Sequence, residues 1–109
     1  MAKHEFGMMP HAPDPHEQFF LYEPGKYNCI SVDDEQMEKI MNRLTAANCY
    51  WGTMERPGKG LDYCGITLIP PESLDAILME LPAGEDYQPL CALLQQAKKE
   101  NSFVIHFGI

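Results

Sequence analysis

The side chains that bring chemistry to this sequence are four histidines, four cysteines and five tyrosines. His106, in the run FVIHF, is the strongest candidate, because imidazole titrates near neutral pH and serves as a general base. Tyr27, Tyr63 and Cys29 are its candidate partners, and a thiolate pair between Cys29 and His106 is conceivable if their strands are neighbours. No nucleophile elbow, H-E-x-x-H pair, EF-hand loop or G-x-G-x-x-G fingerprint accompanies them. The enzyme case therefore rests on side-chain types alone and leans towards no activity.

A second cluster, His4, His11, Asp14 and His16, has the ligand types that suit zinc, nickel or copper. Its spacing matches no ligand motif and Asp14 has a capping role open to it, so no metal site is assigned and no cofactor is implied. The loop Arg56-Pro57-Gly58-Lys59-Gly60 is locally basic, and glycine backbones beside a lysine can cradle an anion. It lacks P-loop spacing and reads as a hairpin loop, with Arg56 and Lys59 a weak anion site. Cys29, Cys49, Cys64 and Cys91 form no C-x-x-C pair, which points to free thiols. The acid pairs Asp33-Asp34 and Glu85-Asp86 stand where helices begin, where capping and the helix dipole account for them.

The elements that position these groups follow from periodicity. Residues 1–13 show no apolar period and read as a flexible arm ahead of a single domain over 14–109. Asp14, Pro15 and Glu17 predict a two-turn helix carrying Phe19 to Tyr22, and Glu23-Pro24-Gly25-Lys26 a type II turn. Tyr27 to Val32 alternates as a first strand. Met37, Ile40, Met41 and Leu44 then mark one helical stripe up to Asn48. Cys49 to Met54 and Leu61 to Ile69 should pair as a hairpin. Leu74 to Leu81 predicts a helix broken at Pro82 and Gly84, and a second helix capped by Asp86 carries Leu90, Leu93, Leu94 and Ala97. Phe103 to Phe107 is a last strand.

That order, β-α-β-β-α(α)-β behind a short helix, predicts an α+β fold of ferredoxin-like type. A four-stranded antiparallel sheet in the order 4-1-3-2 would have its helices mainly on one face. If the last two helices fold back on each other, the final strand reverses and another α+β topology results. With Ile30, Val32, Ile66, Leu68, Phe103, Ile105 and Phe107 towards the helices, alternation leaves Tyr27, Cys29, Ser31, Tyr63, Gly65, Thr67, Val104 and His106 on the open face. The edge strand adds either Trp51 and Thr53 or Tyr50 and Gly52. This mixture of aromatic area, thiol, hydroxyl and imidazole suits an interface core or a ligand pocket.

Bulk composition narrows the partners. Eight Lys and Arg against sixteen Asp and Glu give a net charge of −8 and a pI near 4.8. Phosphate backbones and anionic membrane surfaces then meet net repulsion, so neither nucleic acid nor membrane is an expected partner. No apolar run reaches spanning length and no secretory signal is read at the N-terminus, so a cytoplasmic protein is expected. The leading expectation is a non-enzymatic binding or regulatory module, associating as a homodimer or with a protein partner through the open sheet face. The alternative is a small-ligand protein or cofactor-independent enzyme with its pocket on that face around His106. A third class is an acidic inhibitor or immunity-type protein that presents its carboxylates to a basic partner.

Overall fold

The computed structural model describes residues 2–109. Its sheet holds an inner strand that composition concealed. β1 (Lys3–Met8) pairs antiparallel with β2 (Ile30–Asp33) on one side and β6 (Val104–Phe107) on the other. The run KHEFGM alternates: His4, Phe6 and Met8 point to one face of the sheet, and Lys3, Glu5 and Gly7 to the other. Residues 3–8 are thus no arm. His4, Glu5, Phe6 and Gly7 are all buried, because a strand with partners on both sides lies inside the sheet.

The remaining strands are β3 (Asn48–Trp51), β4 (Pro57–Lys59) and β5 (Ile66–Ile69). The sheet has six strands in the order β2-β1-β6-β5-β3-β4, every ladder antiparallel. The α+β class holds, and the four-stranded ferredoxin-like order does not. Insertion of β1 separates β2 from β6, which instead lies beside β5, with Ile66 opposite Phe107 and Ile69 opposite Val104. The fold-back alternative accounts for this: α2 (Leu74–Leu78) and α3 (Gln88–Glu100) pack on each other, so the chain leaves β5 and returns next to it. The expected hairpin forms between β3 and β5, but its supposed loop is itself the edge strand β4, where a proline is tolerated at a sheet margin.

Local structure follows the predicted periods with shorter helices. α1 (Asp34–Glu38) gives way to a 3-10 segment over Met41–Ala46, which still buries Met37, Ile40 and Leu44 on one stripe. The helix expected after Asp14 is absent. Asp14 and Glu17 close a turn, and residues beyond it run extended, with Gln18 bridging Thr53. The turn after Glu23 is a 3-10 turn, Pro24–Tyr27.

Both faces of the sheet are covered. On one side α1, α2, α3 and the Met41–Ala46 segment bury Phe6, Val32, Cys49, Ile69 and Val104. On the reverse, residues 9–29 form a strap across Leu68, Ile105 and Phe107, packing Phe19, Tyr27 and Cys29 against them. The predicted open face is therefore absent, and the assignment of faces changes with it. Ile30 and Val32 do face the helices. Ile66, Leu68, Ile105 and Phe107 face the strap, while Thr67, Val104 and His106 lie on the helix side. All four residues of β6 are buried, and where both faces are dry, alternation cannot say which row meets the helices.

Gly7 fixes where the strap crosses. A Cβ there would sit 2.6 Å from the Tyr27 carbonyl oxygen and 2.8 Å from Cys29 Sγ, so only glycine admits the strap this close. At the other end Gly52 (φ +77°) receives the Phe20 ring, which a Cβ would meet at 2.5 Å, and its carbonyl accepts from the Phe19 amide at 2.7 Å.

Candidate functional site

The predicted site residues divide between two places. Tyr27, Cys29 and Ser31 belong to the reverse face, with Tyr27 against Phe107 and Ser31 opposite Glu5. Thr67 and His106 are fully buried on the helix side. Trp51 stands at the margin, where its indole N–H donates to the Gly60 carbonyl at 3.0 Å. The sheet thus separates Cys29 from His106, and burial pushes the Cys29 thiol up to about 11, so no thiolate and imidazolium pair forms.

Thr67, His106 and Tyr63 instead join two residues outside the predicted set, His4 and Asp34, in one hydrogen-bonded chain that runs from the buried Thr67, His106 and His4 to the half-buried Asp34 and Tyr63. His106 Nδ1 lies 3.2 Å from Thr67 Oγ1, and its Nε2 lies 2.9 Å from His4 Nδ1. His4 Nε2 lies 2.9 Å from Asp34 Oδ1, which also accepts from the Tyr63 hydroxyl. Glu38 Oε1 is 3.1 Å from that same hydroxyl. The carboxylate can only accept, so His4 must carry a proton on Nε2. Between the two rings one nitrogen donates and the other accepts, His106 Nδ1 pairs with the Thr67 hydroxyl, and that oxygen also accepts from the Asp62 amide at 2.8 Å. Among the described residues no buried side-chain polar atom lacks a partner.

This arrangement defines a structural element. Burial, then the nearby His4, depresses His106 from 6.5 to about 3, so the ring is neutral at physiological pH. The Tyr63 hydrogen bond, followed by that of His4, holds the Asp34 carboxyl below the usual range, and Asp34 in turn raises the Tyr63 phenol. Both nitrogens of His106 are occupied and the residue has no solvent exposure, so it has no free atom with which to serve a substrate.

The proposed metal cluster also disperses. His4 is inside the sheet, His11 and Asp14 are exposed, and His16 lies 3.4 Å from Glu55 on the surface. Among the described residues no group of three or more His, Cys, Asp or Glu is placed to hold a metal ion. Lys59 donates to Asn48 Oδ1 at 2.5 Å and belongs, with Arg56, to the edge strand and its approach.

A concavity lies on the reverse face, at the end of the sheet that the strap leaves uncovered. It is a cleft of about 590 Å³, within the range of small-molecule sites. Its floor is a cross-strand row, Glu5 on β1, Phe107 on β6 and Ile66 on β5, set by the registers Glu5↔Phe107 and Ile66↔Phe107. Phe20 and Tyr22 of the strap form one wall, with Tyr22 meeting Phe107 edge to face at 5.6 Å. Lys3, Cys64 and Ile109 complete it. Tyr22 donates to Glu5, and that hydrogen bond is the main reason the Tyr22 phenol is raised. Period-2 alternation in KHEFGM and the apolar triple Phe19, Phe20, Leu21 were the available signals for this site. Reading residues 1–13 as an arm hid the first, and the predicted helix absorbed the second.

No family model, curated protein or solved structure matches this chain. Among the described residues no helix is long and apolar enough to cross a membrane.

Proposed function

We propose that this protein is a non-enzymatic small-ligand-binding module whose site is the cleft between the sheet end and the strap. The observation that carries the reading is one built concavity with apolar walls and a single buried carboxylate, Glu5, which is 8% exposed at its floor. Apolar lining with one fixed polar group is the composition of ligand sites, and the neighbouring His4–His106 chain holds β1 and β6, the strands that carry Glu5 and Phe107. Saturation-transfer NMR with small amphiphiles, in the wild type and in Ile66→Trp, tests it. The indole fills the floor, so binding should be lost while the circular dichroism spectrum stays native. Binding that survives Ile66→Trp places the ligand elsewhere and overturns the reading.

A second reading is self-association through the strap. Phe20, Leu21 and Tyr22 are 59%, 72% and 63% exposed, an apolar surface of the kind that marks interfaces. Light scattering coupled to size exclusion should then give a dimer that Leu21→Glu converts to monomer. A monomer at all concentrations removes this reading and leaves the cleft untouched.

A further inference from the structure

Glu5 is the unusual group in the cleft. It is nearly buried on β1, an inner strand of the sheet, and its described side-chain partner is one neutral hydroxyl, that of Tyr22. No ion pair to Glu5 occurs among the described residues. An ionised carboxylate offers about four lone-pair sites and is costly to bury without a counter-charge. Around it stand three aromatic rings, Phe20, Tyr22 and Phe107, whose faces carry the negative side of the ring quadrupole. Carboxylate and aromatic faces favour the same sign of ligand. Lys3, the one basic residue of the lining, is exposed on β1 two positions from Glu5, so it stands at the mouth and not on the floor.

We infer that the cleft selects an organic ammonium with an apolar body, its charged head on Glu5 and its hydrocarbon between Phe20, Tyr22, Ile66 and Phe107. The inference rests on the cleft being the binding site and adds the class of ligand. Both methylene contacts and head-group recognition are then satisfied in one place, and the head adds a charged donor to the single neutral one, Tyr22, that Glu5 has. Lys3 opposes the same head by like charge.

The test uses the full chain, isotopically labelled, and three probes of equal length: hexylammonium, hexan-1-ol and hexanoate. Amide shifts of Lys3 to Gly7, of Gly65 and Ile66, and of Phe107 and Gly108 report occupancy. Hexylammonium should bind about tenfold or more tighter than hexan-1-ol, and hexanoate weakest of all. Glu5→Gln should erase the preference for hexylammonium while hexan-1-ol still shifts the cleft amides, which also shows that the variant is folded. Lys3→Gln should tighten hexylammonium binding a few-fold. Equal binding of alcohol and ammonium, or a preference for hexanoate, overturns the inference and leaves a cleft of other selectivity. Absence of cleft shifts with all three at millimolar concentration overturns the binding site itself.

Discussion

Acidification should unfold this protein through His106. Folded, the ring is neutral and resists protonation down to about pH 3, because burial disfavours its charged form and the nearby His4 adds to that. Unfolded, the same imidazole titrates at its ordinary 6.5. The unfolded chain therefore binds a proton that the folded chain refuses, and stability falls as the pH drops below 6.5, until about 3 where the folded ring also protonates. Each pH unit in that window is worth about 1.4 kcal/mol, so His106 alone removes about 2 kcal/mol between pH 7 and pH 5. Asp34 adds to the loss only below the ordinary carboxyl value of 3.8, outside the range from pH 7 to pH 5. Urea unfolding followed by Trp51 fluorescence should show the midpoint falling by about 1 to 2 M, for a denaturant slope of about 1 to 2 kcal/mol/M. His106→Phe cannot titrate. It should cost about 1 to 3 kcal/mol at pH 7 by leaving His4 Nδ1 and the Thr67 hydroxyl unpartnered, yet be less sensitive to acid than the wild type. A wild-type midpoint that is flat from pH 7 to pH 5, or an unchanged pH dependence in His106→Phe, would refute a buried, neutral His106.

Three further outcomes follow from the packing. Gly7→Ala should destabilise by about 1 to 3 kcal/mol in urea unfolding, since its Cβ meets Tyr27 and Cys29 of the strap at under 3 Å. A cost below a few tenths would mean the strap does not cross there. Tyr87→Phe should cost about 1 kcal/mol, the worth of the 2.8 Å hydrogen bond from its hydroxyl to the Gln36 carbonyl that ties α1 to the start of α3. Among the thiols, exposed Cys64 should react first with iodoacetamide at pH 8, ahead of Cys29 and of Cys49, which burial pushes up to about 12. Peptide mapping that finds Cys49 labelled before Cys64 would contradict the placement of β3 in the core.

The sequence by itself determined the elements whose signal is local. The Leu and Met stripes, the break at Pro82 to Gly84, the pairing of Tyr50 and Trp51 with Leu68 and Thr67 and the strand at 104–107 all follow from periods of 3.6 and 2 and from turn residues. What only the tertiary structure decided is the role of residues 3–8. Their pairing with 104–107 spans about a hundred positions, and KHEFGM has no β-branched residue to announce a strand. That one strand sets the rest: it parts β2 from β6, brings His4 to His106 and puts Glu5 on the cleft floor. The choice of faces was also beyond local reading, because a strap of irregular chain buries most of the reverse side, as helices bury the front. With both faces largely dry, polar and apolar alternation loses its meaning, and His106 can be a core residue while Ile66 and Phe107 line a site.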